Sequence, residues 1–159
     1  MPLKIPPNAK EVQQLVEKRL QAVEETPGTK ETVTIEWRGR SLPIPVISMP
    51  VALLHYNPDT HRVRAQRSHD LDLEKKLEAS PWSDPAQSYL QDLLKGDPAA
   101  PSKIDQKFID LKEDLRDHGQ SEAGIITRAG VLINGNTRRA ALKDLGEENI
   151  RVGVLPSDA

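Results

Sequence analysis

The sequence predicts an α/β fold, a small mixed sheet flanked by helices. Three observations carry this expectation. Apolar residues change period repeatedly along the chain, from helical spacing to strand alternation and back, as in domains that interleave the two kinds of element. Glycine, proline and asparagine punctuate the segments at the points where the period changes. The stretch from Gly130 to Leu155 reads by itself as strand, glycine turn, helix and strand.

In chain order, Asn8 with Glu11 three residues on resembles a capping box. Val12, Leu15, Val16, Leu20 and Val23 then recur at helical spacing as far as Pro27-Gly28, which predicts an amphipathic helix over 9–25. Its apolar stripe can pack on this domain or on a second copy, and a homodimer through the N-terminal helix is one expectation. Val33, Ile35 and Trp37 alternate, Arg38-Gly39 turns the chain, and Leu42, Ile44 and Val46 follow, so a β-hairpin is expected. Pro43 and Pro45 cannot donate to a ladder, which places the start of the second strand at an edge. Residues 1–45 thus read as a helix-and-hairpin extension in front of a domain covering 46–159.

Within that domain Val46 to Met49 continue as a strand, Pro50 to Leu54 form a helical turn, and Tyr56 to Arg62 form a loop. Residues 63–103 look like a helical insert, with short helices over 71–79 and 84–95, the second capped by Ser83 and ended by Gly96. Such an excursion suits a lid or an interaction element. Ser102 with Asp105 suits the cap of the next helix, in which Ile104, Phe108, Leu111 and Leu115 form a seam and which His118-Gly119 ends. Ile125 and Ile126 make a strand, Val131 to Ile133 another, Thr137 to Leu145 a helix closed by Gly146, and Ile150 to Leu155 the last strand.

The composition excludes several chemistries. There is no cysteine among the 159 residues, so disulfides, thiolate-bound zinc and thiol catalysis are ruled out. The formal net charge is -2, so no global basic field draws in nucleic acid and any DNA contact must use a local patch. No apolar run approaches a membrane span and no signal peptide opens the chain, which leaves a cytoplasmic location as the expectation. The Walker and dinucleotide-binding glycine patterns are both absent. Four histidines show no zinc spacing apart from the pair His61 and His69.

The residues that carry chemistry gather at the glycine turn. A strand that passes through Asn134-Gly135-Asn136 into a helix leaves backbone N–H groups unpaired at the helix start, where an anion is favoured. Arg138 and Arg139 stand in that first turn, at the end of the macrodipole that disfavours cations. Their presence suggests a phosphate or carboxylate ligand, which arginine grips with two donors; pairing with nearby acids is the alternative. Arg138 shares a face with Ala141, Leu142 and Leu145, so Arg139 is expected to be the freer of the two.

Gly135-Asn136-Thr137-Arg138-Arg139-Ala140-Ala141 resembles the arginine box of the ParB/sulfiredoxin superfamily. Leu111 to Gln120 followed by Gly124 to Arg128 resembles the helix, turn and strand that precede that box. Asn57, Pro58 and Arg62 resemble its early asparagine-proline loop, although His61 stands where a second proline belongs. The similarity covers about residues 45–66 and 104–155. It implies a ParB/sulfiredoxin-like fold, and the missing cysteine removes the sulfiredoxin reaction.

The resemblance further implies that Gly135, Asn136, Thr137, Arg138 and Arg139 hold the phosphates of a nucleoside triphosphate, CTP or ATP, with or without Mg²⁺. Asn57 and Arg62 would approach from the other wall. The expected function is nucleotide binding or hydrolysis coupled to DNA binding or processing. A DNA nuclease and a non-catalytic DNA- or protein-binding module are the alternatives. Hydrolysis or DNA cleavage needs a carboxylate to hold a metal or orient water, for which Glu122 is the first candidate and Asp59 the second. Arg64 and Arg67, with Arg62, His61 and His69, form a basic cluster suited to a DNA backbone.

Overall fold

The computed structural model describes residues 5–58, 75, 77, 79–95 and 106–156. The chain opens with α1 (Ala9–Glu25), then β1 (Thr32–Trp37), β2 (Arg40–Pro50), a 3₁₀ turn (Val51–Leu53) and β3 (His55–Tyr56). Next come α2 (Asp84–Lys95), α3 (Gln106–His118), β4 (Gly124–Ile126), β5 (Val131–Asn134), α4 (Asn136–Asp144) and β6 (Asn149–Val154). The strands form one six-stranded mixed sheet in the order β1-β2-β6-β4-β5-β3. The α/β class read from the sequence is therefore the one observed.

The amphipathic stripe of α1 is used inside this chain. Val12 and Val16 are fully buried, and Leu15, Leu20 and Val23 pack partly buried against the core. Asn8 does not close a capping box, since its side chain makes no cap bond. Its Nδ2 donates instead to the Leu53 carbonyl at 3.2 Å, tying the helix start to the 3₁₀ turn. A long-range acceptor has outcompeted the local cap.

The hairpin forms as expected, with Thr32 opposite Pro45 and Trp37 opposite Arg40. Arg38 takes a positive φ of 50° at its tip. β2 then runs on and pairs with β6 from Val46 to Pro50, so the hairpin joins the central sheet without a break. Val46 donates to the Glu31 carbonyl at 3.2 Å, which makes Glu31 and Val46 a hydrogen-bonded pair. By antiparallel alternation Pro43 and Pro45 fall in non-bonded pairs, their missing N–H directed away from β1, on the side where the pairing with β6 stops at Val46 and Gly153. The prolines thus occupy a local free edge of an otherwise interior strand.

Two elements differ from the sequence reading. Tyr56, expected to begin a loop, pairs together with His55 in parallel with Leu132 and Val131, and the two form the far edge of the sheet. Two residues are too short a run for any periodicity to register. The described part of the 63–103 insert is core rather than an excursion: α2 buries Ala86, Tyr89, Leu90, Leu93 and Leu94. Ser83 does cap it, its Oγ accepting from the Ala86 N–H at 3.4 Å. The expected caps at Gly96, Ser102 and Asp105 lie outside the described residues.

Helix α4 ends as its sequence predicts. Gly146 has a φ of 77°, and its N–H donates to the Lys143 carbonyl while that of Glu147 donates to Leu142. This is the paired bonding of a Schellman cap. Asp144 ties the three neighbouring helices together through Lys112 of α3 at 2.7 Å and Lys95 of α2 at 3.1 Å. The hydrogen bond from Lys112, aided by Lys95, lowers the Asp144 carboxyl below its ordinary value against the opposing effect of burial.

Candidate phosphate site at the start of helix α4

The site begins with two glycines that touch. Gly135 sits in the left-handed region with φ 91° and forms the N-cap of α4. A Cβ added to it would stand 3.0 Å from the Gly124 Cα, and one added to Gly124 would stand 3.1 Å from the Asn134 carbonyl. Only glycine allows both the turn and this contact. The backbone therefore passes from β5 into α4 directly against the start of β4, and the Arg139 N–H donates to the Gly135 carbonyl at 2.8 Å as the first helical bond.

The next three residues divide the work. Asn136 is buried, its Oδ1 accepting from the Asn57 N–H at 3.0 Å and its Nδ2 donating to the Leu132 carbonyl at 3.0 Å. Its side chain is thus committed to holding the Asn57 loop against the box, and only its backbone is left for a ligand. Among the described residues the backbone N–H groups of Asn136, Thr137 and Arg138 take no hydrogen-bond partner, as expected of a helix's first turn. They border a cleft of about 240 Å³, one wall of which is Asn134 to Arg138 and the other Leu94, Leu111 and Ile133.

The expected roles of the two arginines are reversed. Arg139 is only 4% exposed. Its Nη2 donates to the carbonyls of Val51 at 2.8 Å and Leu54 at 3.0 Å, its Nε also reaches Val51, and its guanidinium lies 4.4 Å from the centroid of the Tyr56 ring. It braces the 3₁₀ turn and does not reach the cleft. Arg138 lines the cleft, and its Nη2 donates to Glu122 at 3.1 Å. The apolar spacing of Ala141, Leu142 and Leu145 reveals one buried side of α4. It cannot reveal the second, where Asn136 and Arg139 face polar backbone.

Glu122 is thus brought to the site, but as the ion-pair partner of Arg138, and its side chain is 79% exposed. Among the described residues no group of three or more His, Asp or Glu is arranged to hold a metal. Mg²⁺ carried by nucleotide phosphates needs few protein ligands, so the donor set at the cleft suits phosphates with or without the ion. Asp59, Arg62, Arg64, Arg67, His61 and His69 lie outside the described residues.

Between α2, β3 and α4 stands a polar group that the sequence does not announce. Gln87 accepts from the Tyr56 N–H at 2.8 Å and donates to the Tyr56 carbonyl at 3.3 Å, pairing α2 with the edge strand β3. Gln91 accepts the Tyr56 hydroxyl proton and donates to the Ala140 carbonyl at 3.1 Å. Burial pushes the Tyr56 hydroxyl above its ordinary value, and burial followed by Arg139 pushes the His55 imidazole below its own. Lys143, one turn beyond Arg139, is lowered by burial and by that same cation. The sequence carries no signal for these contacts, because partners 31 and 49 residues apart leave no local pattern.

No protein-family model and no curated protein matches the chain. Among solved structures, a Pnob8-like ParB-N domain in its C2221 crystal form is similar at 15% identity, with a TM-score of 0.38. The match covers 82% of this chain and 33% of that one. The chain spans about a third of the matched structure's length. The likeness is remote, and the functional reading rests on the cleft. No helix among the described residues is long and apolar enough to cross a membrane.

Proposed function

We propose that the cleft at the start of α4 binds the phosphates of a nucleoside triphosphate, CTP or ATP, and that binding is coupled to DNA. The supporting observation is that Asn136, Thr137 and Arg138, whose backbone N–H groups take no partner among the described residues, all line one open cleft of about 240 Å³. Donors of this kind at a helix N-terminus favour an anion, and the arginine adds a charge that the macrodipole alone would disfavour there. A phosphate would supply an acceptor for the N–H groups and a further partner for Arg138 beside Glu122. Leu94, Leu111 and Ile133 offer the less polar remainder of a nucleotide an apolar wall.

Calorimetry with CTP, ATP, GTP and ADP, with and without Mg²⁺, tests this reading. One triphosphate is expected to bind, and Arg138→Ala is expected to remove the binding while leaving the fold intact. No binding of any nucleotide at millimolar concentration would sink the reading. The coupling to DNA is tested by measuring the affinity of a fluorescent duplex with and without the nucleotide. Equal affinities would remove the coupling and leave the nucleotide site standing.

A further inference from the structure

The hairpin of β1 and β2 has two edges, and only one of them is protected. Beyond the point where β6 ends, the outer edge of β2 carries Pro43 and Pro45, which have no N–H to offer. The outer edge of β1 carries no proline, and among the described residues β2 is its only neighbour in the sheet. Because Glu31 and Val46 are a hydrogen-bonded pair, alternation turns the N–H and C=O groups of Thr32, Thr34 and Glu36 outward. The six residues Thr-Val-Thr-Ile-Glu-Trp favour strands, and one of them is charged.

We propose that β1 is a self-association edge, pairing antiparallel with β1 of a second copy about a two-fold axis through Thr34. In that register Thr34 meets Thr34 of the second copy, and Thr32 meets Glu36. These are the outward-facing residues, so the ladder closes with every outward donor and acceptor from Thr32 to Glu36 used. On the opposite face Val33 meets Ile35 of the second copy, which sets half-buried apolar side chains against each other. From Thr32 to Trp37 no like charges stand directly opposite, and Glu36 has Lys30 of the second copy as its diagonal neighbour, twice by symmetry; just outside the strand Lys30 falls opposite Arg38 of the second copy, which keeps the dimer weak.

The occupant is a second copy because the strand is complementary to itself in this one register. The stripe of α1, the other surface suited to dimerisation, is already buried in its own domain. A single pair of short strands gives a weak, concentration-dependent dimer rather than an obligate one. The proposal is independent of nucleotide binding.

The absence of cysteine allows a direct test on the full chain. Thr34→Cys places one thiol on the proposed axis, where a hydrogen-bonded antiparallel pair separates Cα atoms by about 5.5 Å, within disulfide range. Mild oxidation is expected to give a covalent dimer faster than the same treatment of Ser41→Cys, which sits exposed on β2. Sedimentation over a wide concentration range is expected to show a monomer–dimer equilibrium for the unmodified chain. Thr34→Pro should weaken it by about tenfold or more, since it removes an outward N–H from each copy while leaving the bonds to β2. Circular dichroism checks that this variant stays folded. Equal crosslinking of the two cysteine variants, a chain that stays monomeric throughout, or a dimer undiminished in folded Thr34→Pro would each overturn the proposal.

Discussion

The guanidinium of Arg139 lies over the ring of Tyr56, 4.4 Å from its centroid, while donating to the carbonyls of Val51 and Leu54. This arrangement joins α4 to the 3₁₀ turn and to the edge strand β3 at once. Arg139→Ala would remove the arginine donor from the Leu54 carbonyl, leave the Val51 carbonyl with only the Leu54 N–H at 3.3 Å, and open a void beside the ring. A loss of about 3 kcal/mol in unfolding free energy is expected. Arg139→Lys keeps the charge but not the planar fork, and should recover only part of it. Urea unfolding midpoints of the three proteins check this order. A midpoint for Arg139→Ala equal to that of the unmodified chain would remove the bracing role.

Gly135 offers a second point of leverage, because its conformation and its neighbour act together. A side chain there must adopt a φ of 91° and also stand 3.0 Å from the Gly124 Cα. Gly135→Ala is therefore expected to cost about 1–3 kcal/mol. Gly124→Ala would instead crowd the Asn134 carbonyl at 3.1 Å, without a positive φ, and should cost less. Thermal melts of both variants distinguish backbone strain from simple crowding.

These cases show which parts of the molecule were legible in the sequence. Helices α1 and α2, the hairpin and the glycine turn could be read because each is specified within a few residues, by apolar period or by a residue that permits one backbone conformation. Of the candidate site, the left-handed turn at Gly135 and the start of α4 were legible for the same reason. The direction of Arg139 was not, because its acceptors lie 85 and 88 residues away and are main-chain carbonyls, which every residue possesses. Strand β3 was hidden by its length and by a parallel partner far along the chain. The Asn8 cap failed because the Leu53 carbonyl, 45 residues on, claimed its side chain.

His55 gives the fold a dependence on pH. Burial and the nearby Arg139 hold its imidazole below the ordinary 6.5, against a smaller upward pull from Asp84. The folded chain therefore binds its proton less readily than the unfolded chain. This contribution to stability is complete above pH 6.5 and is lost as pH falls from there toward the folded-state value. Melting temperatures measured from about pH 8 to about pH 5 should decline on the acid side, and His55→Gln should flatten that part of the curve. An unchanged slope in the variant would assign the decline to other groups.

The pair of Arg138 and Glu122 makes the sharpest prediction about the cleft. The two are 3.1 Å apart, with Glu122 largely in solvent, so the bond itself contributes little to stability. A phosphate in the cleft must share or displace that carboxylate to reach the guanidinium. Glu122→Gln removes the competing charge and leaves the shape, so nucleotide affinity should rise by about twofold to fivefold, with no change in melting temperature beyond about 1 °C. Raising salt should weaken nucleotide binding in both proteins. Calorimetric titrations at two salt concentrations measure both effects, and an affinity that falls in Glu122→Gln would instead make the carboxylate part of the binding site.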